Sequence, residues 1–243
     1  MKSAEVWYLD NSGFAVKTLN HFFIFDYCND MPFENRPGLD GGVIDTGELK
    51  ELDVVVLASH AHGDHYQAAV LKWGRELPRV RYILSHDIKP AYNTDQPVAA
   101  FPNETYELGD VKVRTLKSTD EGVAFIVEAD GLKLYHAGDL NWWHWEGEPD
   151  EENEAMGRDY KAQLDLIKGE HFDIAFVPVD PRLDNEYLWG LDYFMRSADA
   201  TAVFPMHFRE DVSIFDRIGE DPMAEEYRGR IKRISRRGER FLI

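Results

Sequence analysis

The chain has 243 residues, a formal charge of −18, 44% hydrophobic and 13% aromatic residues. Such a composition supports a sizeable core and excludes global disorder, and the charge disfavours nucleic acid or an anionic membrane surface as a partner. Cys28 is the only cysteine, so neither an intrachain disulfide nor a thiolate metal cluster is available. No h-region and no apolar run of about 18 residues occurs, and the expected location is cytoplasmic.

In chain order, "EVWYLD", "FAVKT" and "HFFIF" read as short strands rich in aromatic and β-branched residues. Residues 27–49 carry the prolines and glycines of a loop. "DVVVLAS" does not alternate and reads as a strand buried on both faces. "YQAAVLKWGREL" has helical spacing and stops before Pro78. "VRYILS" is a further strand, followed by a proline-rich connection. "TYEL", "VKVRTLK", "VAFIVEA" and "LKLYHA" are strands, the last two joined by an Asp-Gly hairpin. "NWWHWEGEPDEENEA" reads as a long loop, with Glu146 to Glu154 a solvated acidic stretch. "GRDYKAQLDLIKGE" is an amphipathic helix, "FDIAFVPVD" a buried strand, "EYLWGLDYFMRSA" a helix and "TAVFPMHF" a strand. "RIKRISRRGERFLI" reads as two short strands about a turn. The fold expected is α/β, a four-layer sandwich of two mixed sheets with helices outside, built as one domain over residues 1–243.

The stretch "ASHAHGDHY" places three histidines and an aspartate within six positions, directly after a buried strand. In extended backbone His60 and His62 point the same way and can converge on one ion. Asp64 and His65 follow as the chain turns, and can face a neighbouring ion. Imidazole with carboxylate suits Zn²⁺, Mn²⁺ or Fe²⁺ rather than Ca²⁺. A polar loop of hydrogen-bonded histidines is the alternative, but the cluster is too dense to favour it. Four residues cannot complete two coordination shells, and two strand ends offer more donors: Asp139 after "LKLYHAG", and His207 in "TAVFPMHF". His136, three residues before Asp139, either lines the site as a substrate contact, hydrogen-bonds a metal ligand from behind, or is a strand-end histidine held by backbone. His86, His21 and His171 read as structural or surface residues.

"HAHGDH" resembles the H-x-H-x-D-H signature of the metallo-β-lactamase superfamily, and "AGD" with a late strand-end histidine resembles its later motifs. "YLDNSGF" and "FIFDY" look like its opening strands, so the resemblance spans nearly the whole chain. "YHAGDLN" and "VPVDPR" look closest to the branch of metal-dependent hydrolases that includes ascorbate-6-phosphate lactonase. By position, the resemblance implies that His60 and His62 bind a first metal, Asp64, His65 and His207 a second, and that Asp139 bridges them. One departure stands out. The family's further histidine for the first metal is missing from "LKSTDEGVAF", where Asp120 is the nearest substitute and Ser118 or Thr119 are weaker oxygen ligands.

A bound divalent ion brings the pKa of its water near neutrality and polarises a carbonyl or phosphoryl oxygen; Asp64 or Asp139 can orient that water and take its proton. No G-x-S-x-G or P-loop motif competes. Specificity is expected in nearby loops: Trp142 and His144 of "NWWHW" beside the substrate, and Arg182 either gripping an anionic group or pairing with Asp180 or Asp184. The function expected is hydrolysis of a small ester, lactone or phosphodiester with Zn²⁺ (one or two ions), Mn²⁺ or Fe²⁺ being alternatives. The partner is a small molecule, and homo-oligomers are compatible with the sequence. The rivals are a mononuclear iron oxidoreductase acting on O₂ or a thiol compound and, against the charge, a nuclease.

Overall fold

The computed structural model describes residues 3–89 and 97–243, and part of the proline-rich connection therefore lies outside the described residues. The first half builds β1 (Glu5–Asp10), β2 (Gly13–Lys17), β3 (His21–Phe25), helix α1 (Thr46–Leu49), β4 (Asp53–Ala58), β5 (Val80–Ser85) and β6 (Pro97–Ala100). With β13 (Arg240–Leu242) on its edge, this sheet has the order β13-β1-β2-β3-β4-β5-β6. Its pairs are antiparallel up to β3 and parallel from β3 to β6.

The second sheet holds β7 (Thr105–Leu108), β8 (Val111–Lys117), β9 (Val123–Ala129), β10 (Leu132–His136), β11 (His171–Pro178) and β12 (Asp199–Met206). Its order is β12-β11-β10-β9-β8-β7, with β10, β11 and β12 parallel and the rest antiparallel. Asp130 and Gly131, both at positive φ, make the tight β9–β10 turn that the Asp-Gly pair calls for.

Strand periodicity assigns the layers. Phe23, Phe25, Val55 and Leu57 face the second sheet and share a core with Phe125, Val127 and Phe176. Their neighbours Phe22, Ile24, Val54 and Val56 point outward and pack with Val70, Leu71, Trp73 and Leu77. Both faces of β4 are therefore covered, which is why its sequence does not alternate. Helices α2 (Asp150–Leu164) and α3 (Trp189–Ser197) cover the outer face of the second sheet, where Phe194 stacks on Tyr135 at 4.8 Å. The result is two mixed sheets flanked by helices, as expected.

Some local expectations fail. The helix expected at 66–77 is a 3-10 segment, Ala68–Arg75, whose apolar side chains are placed by packing on the sheet rather than by α-helical hydrogen bonding. The acidic stretch is not all loop. Asp150, Glu151 and Glu152 form the first turn of α2, where their charge complements the helix dipole. Strand β6, which opens with Pro97, is an edge strand that the proline-rich composition hid. Of the two C-terminal strands expected, only β13 forms; Ile231 makes a single bridge to Val203.

The parallel pairings bring the C-terminal ends of β3, β4, β10, β11 and β12 to the edge where the histidine cluster sits. Ser59 and His60 follow β4, Asp26 follows β3, Asp139 follows β10, Asp180 follows β11 and His207 follows β12.

Candidate metal centre

The metal-liking side chains gather in two groups. His60, His62, Asp120 and Asp139 form one, and Asp64, His65 and His207 the other; within each group the donor atoms lie within 4.8 Å of one another. Asp139 belongs to both by geometry. Its Oδ2 lies 3.7 Å from His60 Nε2, while its Oδ1 lies 3.2 Å from His65 Nε2 and 3.8 Å from His207 Nε2. His60 Nε2, His65 Nε2 and Asp139 Oδ1 are buried without a hydrogen-bond partner among the described residues. Buried polar atoms are costly unless paired, and three of them converging with lone pairs inward is the donor set a divalent cation requires. The residues present fit such an ion.

Carboxylates behind the rings fix which nitrogen faces inward. His65 Nδ1 donates to Asp26 Oδ2 at 2.7 Å, and His207 Nδ1 donates to Asp180 Oδ2 at 2.8 Å. Ser59 Oγ donates to Asp26 Oδ2 at 2.6 Å, so its oxygen is left to accept from His60 Nδ1 at 3.0 Å. A carboxylate only accepts, so in all three rings Nδ1 carries a proton and Nε2 is the nitrogen that can offer a lone pair to a metal once its own proton is displaced. Asp26 thus serves both groups. Asn11 Nδ2 donates to Asp64 Oδ2 and to the Asp64 carbonyl, each at 3.3 Å, and Asp87 Oδ2 accepts from the Ala61 amide at 2.7 Å, between His60 and His62. Two glycines make room. A Cβ on Gly122 would meet the Ser59 carbonyl at 1.9 Å, and one on Gly138 would meet Ser59 Cβ at 2.6 Å; both have positive φ.

The first group is more open than the second. His62 and Asp120 are about half exposed and 3.9 Å apart, with Glu121 Oε2 3.6 Å from the other His62 nitrogen. Thr119 Oγ1 is occupied by the Asn141 backbone, donating to its carbonyl at 2.7 Å, and Ser118 Oγ accepts from the Asp120 amide. Asp120 is the member of that loop grouped with the histidines.

Burial works against charge on His65, but the carboxylates of Asp139 and Asp26 outweigh it and lift this imidazole to about 10 in the metal-free chain. Burial would raise Asp139, yet His65, His207 and His60 hold it well below the usual carboxylate range. Burial, and then the neighbouring His65, lowers His60. Protons and metal therefore compete for the same Nε2 atoms.

The comparisons bear on this arrangement. Residues 5–146, more than half of the chain, match the family described as the beta-lactamase superfamily domain. The chain belongs to the metallo-β-lactamase superfamily. Among curated proteins, none matches the sequence. Among solved structures, the metallo hydrolase Igni18 from Ignicoccus hospitalis is similar at a TM-score of 0.64 and 18% identity, over 99% of this chain and 98% of that one. YhfI from Bacillus subtilis, a metallo-β-lactamase fold protein, is similar at 0.62 and 13%, over 100% of both chains. CmlA from Streptomyces venezuelae, a diiron β-hydroxylase, is similar at 0.57 and 12%, over 100% of this chain and 54% of its own. Identities this low establish the shared fold.

In this superfamily member the donors open onto a cavity of about 250 Å³. His62, Asp64, Asp120, Asp139 and His207 line its floor, and Trp143, Trp145, Met156, Arg182 and Arg209 its walls. Three expected substrate contacts are corrected. His136 is fully buried between the sheets, stacked on Phe25 at 5.0 Å. Its Nε2 donates to the Ser12 carbonyl at 2.8 Å and its Nδ1 accepts from the Gly138 amide at 3.2 Å, so both nitrogens are spent on backbone. Trp142 and His144 face the other way, against Trp189, and line a separate cavity along α2. In this extended stretch alternate residues point to opposite sides, so Trp143 and Trp145 face the metal donors instead. Trp143 Nε1 donates to the Asp139 carbonyl at 2.9 Å, and the Trp145 ring lies nearly parallel to it at 5.8 Å. Arg182 both pairs with Asp180 and lines the cavity.

Besides Trp143 and Trp145, the residues sequence reasoning missed include Asp26, Asp87, Asn11 and Arg209. Asp26 had a signal: it is the first polar residue after the buried run "HFFIF", at the same strand edge as Asp139 and His207.

Proposed function

We propose that this chain, as a single domain over residues 1–243, is a metal-dependent hydrolase of a small ester, lactone or phosphodiester with a dinuclear centre. The observation that carries this reading is Asp139, whose two oxygens face the two donor groups at the floor of one cavity. His60, His62, Asp120 and Asp139 would hold one ion, and Asp64, His65, His207 and Asp139 the other. Divalent ions there would activate water and polarise the scissile carbonyl or phosphoryl oxygen. Asp64, oriented by Asn11 and open to the cavity, is the group placed to take a proton from the attacking water. Asp26 and Asp180 keep the rings of His65 and His207 in one tautomer through the reaction. Trp143 and Trp145 wall off bulk water on one side and give an apolar face to the substrate.

Zn²⁺ is the first ion to test and Mn²⁺ the second. The resemblance of "YHAGDLN" and "VPVDPR" to the ascorbate-6-phosphate lactonase branch puts lactones first among substrates. The test is to screen protein loaded separately with each ion against lactones, phosphodiesters and thioesters. Turnover of none of these by metal-loaded protein contradicts the reading.

A second reading follows from Asp120. A carboxylate in place of the usual histidine gives each ion two imidazoles with carboxylates, a donor set that also suits iron and O₂ chemistry. The fold itself does not decide, since its relatives include a hydrolase and a hydroxylase by description. Iron uptake with oxygen consumption would favour this second reading over hydrolysis.

A further inference from the structure

We infer that the substrate is a small organic anion, whose carboxylate or phosphate is held between Arg182 and Arg209 above the metal donors; this rests on the hydrolase reading. The chain carries a charge of −18, yet two guanidinium groups line the wall of this one cavity. Arg182 spends Nε and Nη2 on the Asp180 carboxylate, at 2.5–3.0 Å, and its Nη1 has no partner among the described residues. That pairing, and the Trp145 ring 5.1 Å away, fix the plane of the guanidinium. Arg209 is freer. Its nearest charge is Asp64 Oδ2 at 3.6 Å, and it makes no hydrogen bond among the described residues.

The backbone goes to some length to put Arg209 there. His207, Arg209 and Glu210 all have positive φ, at 63°, 49° and 66°. Non-glycine residues adopt such angles at a cost, and they cluster where function demands a particular side-chain direction. With both ions bound, the carboxylates of Asp64, Asp120 and Asp139 leave the floor with net positive charge, and Arg209 adds to it. Arg209 can offer a carboxylate or phosphate a fork of parallel N–H donors, and Arg182 its remaining Nη1. The cavity of about 250 Å³ is at the small end of ligand pockets, and Trp143 and Trp145 suit an apolar or ring portion beside the anion.

The test titrates metal-reconstituted protein calorimetrically with methylphosphonate and with propionate, and measures metal content on the same samples. We expect one of the two to bind; which one distinguishes a phosphate from a carboxylate substrate. Arg209→Gln should weaken that binding about tenfold or more with metal content unchanged. Arg182→Lys, which keeps a cation beside Asp180, should weaken it as well. Equal affinity in wild type and Arg209→Gln at equal metal content would mean that the metals alone hold the anion, and overturns the inference while leaving the hydrolase reading standing. Binding of neither anion to metal-loaded wild type overturns it too. Protein that takes up no metal overturns both.

Discussion

Asp26 accepts a hydrogen bond from His65 Nδ1 at 2.7 Å, and the opposite nitrogen of that ring faces Asp139 Oδ1 at 3.2 Å. A fully buried carboxylate at the end of β3 thereby sets the direction of a candidate metal donor. Because Ser59 links the same carboxylate to His60, its influence reaches both donor groups.

Asp26→Asn keeps the volume and removes the charge. Carboxylates that orient ligating histidines typically contribute about 10–100-fold in metal affinity, and a loss in that range is expected here. Competition with a chromophoric chelator measures it. Unchanged affinity would mean that packing alone orients His65.

Asp120→Ala should release the ion of the more exposed group and leave one ion per chain at Asp64, His65 and His207. Elemental analysis after dialysis reads this directly. Two retained ions would show that Asp120 does not replace the missing histidine.

Much of this was legible before the fold was known. His60, His62, Asp64 and His65 are dense in sequence, and Asp139 and His207 end buried runs, so a strand-edge argument finds them. The strands themselves were legible because their apolar runs are long and bounded by turn residues. What sequence hid depends on pairing across the chain: Asp26, Asp87 and Asn11 act on residues far from them in sequence. The choice of Trp143 and Trp145 over Trp142 and His144 is a matter of which side of an extended loop meets the cavity, a single step of register that composition does not encode. The segment at 68–75 looked helical because its apolar spacing suits an α-helix, but packing on the sheet shaped it as 3-10 turns.

Gly138→Ala would place a methyl group 2.6 Å from Ser59 Cβ at a φ of +53°. Displaced backbone of this kind costs about 1–3 kcal/mol, and Ser59 is the link between Asp26 and His60. We expect a lower unfolding midpoint together with weaker metal binding, read by thermal melts with and without chelator. A loss of stability with metal affinity intact would mean that Ser59 does not position His60.

The metal-free protein should lose stability in alkali. The folded pKa of His65 is raised from 6.5 to about 10, so its contribution is fully present below about pH 6.5 and disappears as pH rises through about 10. Thermal melts of chelator-treated protein should therefore fall between pH 7 and pH 10, and fall less in His65→Gln. Equal slopes in the two proteins would exclude His65 as the source.

A dinuclear centre bridged by Asp139 would fix the number of ions that each chain holds. After reconstitution and dialysis, wild-type protein should hold two divalent ions per chain by elemental analysis. Asp139→Asn, which keeps the side-chain volume but cannot present two anionic oxygens, should hold one or none while remaining folded by circular dichroism. Two ions retained by folded Asp139→Asn, or none taken up by wild type, would rule out such a bridge.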